Sequence, residues 1–281
     1  MKKPKIVGVG VGIILSIIIG VYFVNQIDNQ EQIPDSDVVE VFWNNSLFRI
    51  FVNENDWIIV DGKTIPIKAN FALNDQLQDT YNDVGVYDLE KKPAVIIPIF
   101  TASAYGSNGF YDFFRERCNE SCLTTKILRD DYDFKSSANA IQILDLLDYE
   151  MISDEQVDKD PNILKNYDKI ILLHNEYVTK TMFDAITSHP NALYLYPNAL
   201  YAEIDVNYQE NTISLIRGHN YPEPHIANGF DWEFDNTHPF EFDTICGNWE
   251  FYEIDNGSML NCYPEQIIWQ DKEFLEAIKN Q

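Results

Sequence analysis

The stretch Asn166–Ile204 constrains the fold of this chain most, because it has the pattern of a strand–helix–strand unit. It begins with Lys169–Leu173, an apolar run too short for a helix and typical of a strand buried on both faces. Thr179 then caps a predicted helix, and a second buried strand is predicted over Ala192–Tyr196. Such a unit is right-handed and has parallel strands. The sequence therefore predicts an α/β fold with a parallel sheet and flanking helices.

Polar side chains stand where these two predicted strands end. His174 and Glu176 follow the first strand, and Asn198 follows the second. Ligands of open parallel sheets bind beyond the carboxyl ends of the strands, so these three residues are candidates for a functional site. The alternative is that His174 and Glu176 form a turn network that caps the next helix.

The rest of the predicted α/β domain, which we assign to residues 91–281, continues this pattern. Pro93–Ile99 is predicted to be the first central strand, followed by a small-residue loop at Phe100–Gly109. Apolar residues at helical spacing predict an amphipathic helix over Ser136–Leu147. Two β-rich runs separated by turn residues predict a hairpin over Ala202–Ile216.

The N-terminal residues 1–24 differ in character from the rest of the chain. Three lysines precede Ile6–Val24, a run of 19 residues without charge. This run is long enough to cross roughly 30 Å of hydrocarbon, and the lysines favour a cytoplasmic N-terminus. We expect one transmembrane anchor in the cell membrane with the large domain extracellular; a cleaved signal peptide is the alternative. Residues 25–36 are interpreted as a linker, and residues 37–90 as a small β-rich segment.

Charge and cysteine content narrow the classes of protein further. The net charge of −25 argues against nucleic acid as a partner, because its phosphates would be repelled. Four cysteines in an exported chain indicate two disulfides with three possible connectivities. We expect the local pairs, which are Cys118 with Cys122 and Cys246 with Cys262. Zinc is the alternative, but the spacing fits no common zinc module.

Three motifs in the α/β domain carry a resemblance to a known family. They are TASAYGSN at Thr101–Asn108, HNEY at His174–Tyr177, and the strand-end Asn198. Their order and placement over residues 91–240 resemble the C-terminal domain of the large (beta) subunit of N,N-dimethylformamidase. Members of that family show a threonine-then-AYN loop, then GHxEYW, then a GGN turn. The resemblance implies a flavodoxin-like, glutamine amidotransferase-like fold and an amidohydrolase acting on small carbon–nitrogen (amide) bonds.

The same resemblance implies a mononuclear iron and the residues around it. In the family, tyrosines and the glutamate of the HxEY motif hold the metal. Glu176 is similar to that glutamate, and Tyr105 is similar to one of the tyrosines. His174 resembles the histidine beside the iron, and Asn198 resembles the active-site asparagine. Glu233, in GFDWEFD, is similar to a further glutamate in a GYEWD-like segment.

The chain departs from the family pattern at four positions and lacks a match for the second iron-binding tyrosine. Leu173 replaces the glycine before the histidine, and Val178 replaces the tryptophan after the tyrosine. Pro197 replaces a glycine before the asparagine, and Gly106 replaces the asparagine after Ala-Tyr. Lost glycines and a lost aromatic alter backbone freedom and pocket shape. These departures make transfer of the fold safer than transfer of the chemistry.

The chemistry is consistent with the residue types. Ferric iron prefers oxygen ligands such as phenolate and carboxylate, and a nearby histidine transfers protons near neutral pH. The strand-to-helix elbow has no cysteine nucleophile and the chain has no GxSxG motif, which excludes those covalent mechanisms. His219, His225 and His238 could form a metal cluster, but their Pro- and aromatic-rich surroundings favour a packed loop. Two functions stay open: an iron-dependent amidohydrolase, and a non-catalytic surface ectodomain that keeps the fold.

Overall fold

The structure is a computed structural model that describes residues 38–60, 63–66, 68–234 and 240–281, with only the backbone described at 58–60 and 63–65. The predicted anchor at 1–24, the predicted linker at 25–36 and His238 lie outside these residues. Within the described ranges, none of the helices has the length and hydropathy needed to cross a bilayer.

The described residues form strands and helices that alternate through most of the chain. The strands are β1 (Val38–Val41), β2 (Arg49–Asn53), β3 (Trp57–Val60), β4 (Lys63–Pro66), β5 (Asn70–Ala72), β6 (Ala94–Ile97), β7 (Thr124–Lys126), β8 (Glu150–Ser153), β9 (Ile170–Leu172), β10 (Tyr177–Val178), β11 (Ala192–Tyr194), β12 (Ala202–Asn207), β13 (Thr212–Arg217), β14 (Phe251–Ile254) and β15 (Gly257–Leu260). The α-helices are α1 (Gln78–Val84), α2 (Ile99–Tyr105), α3 (Phe110–Phe114), α4 (Ala138–Leu146), α5 (Asp154–Lys159), α6 (Lys180–Thr187) and α7 (Lys272–Asn280).

The predicted strand–helix–strand unit is present as β9, α6 and β11. Ile171 pairs with Leu193 in parallel register, as the sequence pattern requires. The Thr179 side chain accepts a hydrogen bond from the backbone N–H of Met182, which caps α6. Both strands are buried on both faces, because neighbouring residues point into two different hydrophobic clusters. The prediction of a parallel sheet with flanking helices is therefore confirmed.

The central sheet has six strands in the spatial order β14–β15–β11–β9–β6–β8. All neighbours are parallel except β14, which pairs antiparallel with β15. Along the chain, β6, β8, β9, β11 and β15 are the first to fifth parallel strands, so their spatial order is 2-1-3-4-5. The chain leaves β6 toward one side of the sheet and then returns to the other side at β9. The carboxyl ends of β6 and β9 therefore border a crevice of the kind that binds ligands in such sheets.

The N-terminal β-rich segment packs on one face of the central sheet. The antiparallel sheet β1–β2–β5 contributes Val41, Ile50 and Val52 to a hydrophobic cluster shared with α4, α7 and the sheet. The Gln142 side chain of α4 also accepts a hydrogen bond from the backbone N–H of Phe71 in β5. This segment therefore shares a core with the α/β part of the chain.

Two features of the fold differ from or extend the sequence predictions. Residues 101–105 of the predicted loop belong instead to α2. Their small side chains fit a helix in which residues 99–104 are all buried. The predicted hairpin, β12 and β13, is part of a second sheet in the order β10–β12–β13–β7. The disulfide pairing is confirmed: Cys118 bonds to Cys122, and Cys246 bonds to Cys262.

Candidate functional site

Three neighbouring strands of the central sheet deliver polar and aromatic side chains to the same edge. Tyr105 is the last residue of α2, which follows β6. His174 and Glu176 follow β9, and Tyr196 and Asn198 follow β11. Because these strands are adjacent and parallel, their carboxyl ends bring residues that are up to 93 positions apart to one crevice. The site is therefore a direct consequence of the strand order.

Glu176 lies at the centre of this cluster and is fully buried. Its Oε1 is 2.6 Å from Nε2 of His219, and its Oε2 is 3.6 Å from Nε2 of His174. The backbone N–H of Glu176 donates to Oγ1 of Thr101 in α2, which fixes the turn. Burial opposes ionisation of this carboxyl, but its contact with His219, with smaller contributions from His174 and from a hydrogen bond to Tyr105, outweighs burial, so the pKa of Glu176 lies below the ordinary value. Glu176 is therefore a buried carboxylate, and its Oε2 has no hydrogen-bond partner.

Tyr105 lies beside Glu176, close enough for the carboxylate to act on its hydroxyl. The Tyr105 ring lies 5.9 Å from the His174 ring and 6.2 Å from the Tyr177 ring, between centroids. Burial of the hydroxyl end and then the charge of Glu176 raise the pKa of Tyr105 well above its ordinary value. Tyr105 is therefore a neutral phenol that interacts with the Glu176 carboxylate.

His174 is held in one orientation by two aromatic rings and by a contact at one ring nitrogen. Its ring stacks against Tyr196 at 6.0 Å and meets Tyr263 edge-on at 5.4 Å. Nδ1 is 2.5 Å from the carbonyl oxygen of Lys135. A carbonyl only accepts, so Nδ1 carries the proton, and Nε2 of the neutral ring is a free lone pair facing Glu176. Burial lowers the pKa of His174, which favours this neutral form.

His219 is the member of the cluster that sequence reasoning discounted. It lies in a tight turn where Gly218, His219 and Asn220 all have positive φ, of 118°, 52° and 63°. The backbone N–H of His219 donates to the carbonyl of Ala227, and its ring stacks on Tyr177 at 5.4 Å. Such unfavourable backbone conformations are retained where the surrounding structure requires them. The turn aims Nε2 of His219 at the Glu176 carboxylate.

Asn198 and Glu233, the other two predicted residues, have different environments. Asn198 has a φ of 61°, its amide donates to the carboxylate of Glu241, and its Oδ1 is buried without a partner. The charge of Glu241 also acts on Tyr177 and Tyr263, so Asn198 and Glu241 border the cluster. Glu233 is exposed, and no hydrogen bond among the described residues joins it to the cluster. Of the other two histidines considered for a metal cluster with His219, His225 is exposed and His238 lies outside the described residues.

A second buried carboxyl, Glu265, supports the wall of the site. Its two oxygens accept hydrogen bonds from the backbone N–H groups of Asn139 and Ala140, at the start of α4. Tyr196, which stacks on His174, donates its hydroxyl proton to the same carboxyl. Burial raises the pKa of Glu265 to about 7, against the opposing effect of these hydrogen bonds. Glu265 therefore fixes the ring that positions His174.

The cluster fits an oxygen-preferring cation better than a metal site built from histidine and cysteine. Within the described ranges, no group of three or more His, Cys, Asp or Glu side chains is arranged to hold a metal ion. Glu176 is nonetheless a buried carboxylate whose ion-pair partners in the described chain are two histidines, and one of its oxygens is unpartnered. Tyr105 adds a phenolic oxygen beside it. Ferric iron prefers carboxylate and phenolate ligands, so Tyr105 would lose its proton on binding the metal.

The fold and the site together define a class of protein. It is an α/β protein with a parallel sheet. The crevice at the carboxyl ends of β6 and β9 contains the Glu176 carboxylate between the imidazoles of His174 and His219. No protein-family model matches the chain, and no curated protein matches it.

Proposed function

We propose that this protein is a membrane-anchored extracellular hydrolase that cleaves the carbon–nitrogen bond of amides. The strand order 2-1-3-4-5 supports a flavodoxin-like, glutamine amidotransferase-like fold, similar to that of the dimethylformamidase C-terminal domain. The motifs that carry this resemblance converge, since Tyr105, His174 and Glu176 form one cluster. Asn198 borders it through Glu241.

One observation carries the proposal. Oε2 of Glu176 and Nε2 of His174 face each other at 3.6 Å, and both are buried without a hydrogen-bond partner. An unpaired buried polar atom costs free energy of folding. Two such atoms that face each other therefore indicate a bound group that contacts both. Glu176 and Tyr105 would hold the iron there. When bound, the iron would polarise the amide carbonyl and favour ionisation of water.

The residues of the chain supply the proton transfers. Nε2 of His174 accepts a proton from the water that adds to the carbonyl carbon. It then returns this proton to the nitrogen as the carbon–nitrogen bond breaks, which yields a carboxylic acid and an amine. The Glu176 carboxylate stabilises the imidazolium between these steps, and Tyr196 and Tyr263 keep the ring in place. The Asn198 amide orients substrate at the edge of the cluster.

The test is hydrolysis of simple amides by the purified full-length chain after incubation with ferrous or ferric iron. N,N-dimethylformamide and acetamide are the first substrates, and release of dimethylamine or ammonia is the readout. We expect turnover by the wild type and loss of at least a hundredfold in kcat for His174→Gln, in the range typical of a lost general base. Equal rates for both proteins would refute the assigned role of His174.

A non-catalytic ectodomain is the second candidate. The near-complete burial of His174 and Glu176 favours it, because a catalytic pair needs contact with substrate. Under this candidate the iron-loaded protein would release no amine from any amide. The missing family glycines and tryptophan around HNEY would then account for the lost activity.

A further inference from the structure

A surface cleft has one lining residue, His219, in common with the buried cluster. It has a volume of about 680 Å³ and lies between α3, with the turn that follows it, and the loop 219–224. Its apolar walls are Phe113, Phe114 and Pro224, and its polar rim includes Arg117 and Asn119. This volume is within the range of pockets that bind drug-sized molecules.

His219 connects this cleft to the cluster. It lines the cleft, and at only 8% exposure it forms part of its floor. The same ring is 2.6 Å from the Glu176 carboxylate through Nε2. A molecule in the cleft that touches His219 is therefore one side chain away from Glu176. The three consecutive positive-φ residues at 218–220 hold His219 in this bridging position.

Phe114 gives the cleft its chemical preference. It is 42% exposed, although removal of a phenylalanine ring from water lowers the free energy. Its ring meets His219 edge-on at 5.2 Å between centroids, so the two rings form adjoining walls. A flat apolar group placed between them would cover the exposed face of Phe114.

The cleft is lined by one carboxylate, Glu116, and one guanidinium, Arg117, so its own charges balance and favour a neutral occupant. Arg117 lies 3.7 Å from Asp112, so its charge has a partner on the same segment. The chain as a whole carries a net charge of −25, which repels anions.

We propose that this cleft binds the aromatic substituent of a neutral amide substrate and places its amide group against His219, the side chain that contacts Glu176. The proposal rests on the proposed amide hydrolysis and names its substrate class as anilides and related aryl amides. Phe113, Phe114 and Pro224 contact the aryl group, and Phe114 is the specificity-determining residue.

The test compares the binding of acetanilide with that of acetamide to the full-length protein, by isothermal titration calorimetry and saturation-transfer NMR. Acetanilide should bind at least tenfold more tightly than acetamide. Phe114→Ala should raise the Kd of acetanilide by about tenfold, as expected for the loss of one aromatic contact and its buried area. Phe42→Ala is the matched control, since Phe42 is a still more exposed phenylalanine, at 68%, on the separate β-rich segment. It should leave the Kd unchanged.

The outcomes separate this proposal from the proposed function. Acetanilide binding that is equal in Phe114→Ala, Phe42→Ala and wild type would overturn the cleft assignment. Hydrolysis of N,N-dimethylformamide without any binding of acetanilide would also overturn it, while the hydrolase proposal would stand. Binding of acetanilide that depends on Phe114 without release of aniline would support the cleft assignment and count against hydrolysis.

Discussion

Replacement of Glu265 by glutamine should remove a large part of the pH dependence of stability. Glu265 is fully buried, and its pKa is raised from an ordinary 4.5 to about 7, chiefly by burial. A carboxyl with a raised folded-state pKa contributes stability below its unfolded pKa, and this contribution is lost as the pH rises through the folded value. The difference of about 2.5 pH units corresponds to about 3 kcal/mol at about 1.4 kcal/mol per unit.

The glutamine variant keeps an oxygen that accepts from Tyr196 but cannot ionise. The assay is urea unfolding of the wild type and Glu265→Gln at intervals from about pH 4 to pH 8. We expect the free energy of unfolding of the wild type to fall by about 3 kcal/mol relative to the variant across this range, mostly between about pH 4.5 and 7.

Tyr196 and Tyr263, which face the same carboxyl, stay neutral across this range because burial raises their pKa values well above the ordinary one. Glu253→Gln, at an exposed glutamate on β14, is the control and should follow the wild type at every pH. A difference between wild type and Glu265→Gln that stays constant with pH would refute the reasoning, because it would mean that Glu265 does not titrate in this range.

Three further predictions concern the reaction, the sheet and the topology. The acid limb of the kcat–pH profile should lie below pH 6.5, because burial lowers the pKa of His174; a limb above that value would contradict a neutral His174 as the base. Gly257→Ala should lower the free energy of unfolding by roughly 2 kcal/mol or more in urea melts, since the added Cβ would lie 1.9 Å from the carbonyl oxygen of Ala192. The control is Gly247→Ala, whose added Cβ has its nearest contact at 3.8 Å and should leave the free energy of unfolding unchanged. Equal free energies of unfolding for the two variants would contradict this prediction. Protease added to intact cells should degrade the domain that follows Ile6–Val24, and full protection would rule out an extracellular domain.

The sequence was most informative where local pattern and fold agree. The limits of β9 and β11 lie within two residues of the predicted runs, because short apolar runs beside a capped helix leave few alternatives. The cap at Thr179 is a local interaction and was predicted correctly. The parallel arrangement followed from the helix between the two strands, because such a crossover joins parallel neighbours.

The sequence was least informative where long-range contacts decide. The segment after β6 has the composition of a loop, but burial against the second sheet makes it α2. His219 is 43 residues from Glu176, and nothing in its Pro-rich neighbourhood indicates that contact. The one sequence feature that could have indicated the contact is Gly218 before His219. Glycine tolerates the positive φ of a tight turn, and such a turn can direct the histidine ring toward the core. Glu265 carries no motif at all and is identified only by its hydrogen bonds to α4 and Tyr196.

Iron binding by the wild type, Glu176→Gln and Tyr105→Phe is the most direct test of the central claim that Glu176 and Tyr105 share one metal ion. The measurement combines elemental analysis of the purified full-length protein with its visible absorption spectrum. We predict one iron per wild-type chain with a phenolate-to-iron band, loss of most of the iron in Glu176→Gln, and loss of the band with weaker binding in Tyr105→Phe. Folding of each variant is checked by circular dichroism. A correctly folded wild type that takes up no iron, or one whose iron is unchanged in both variants, would contradict the account.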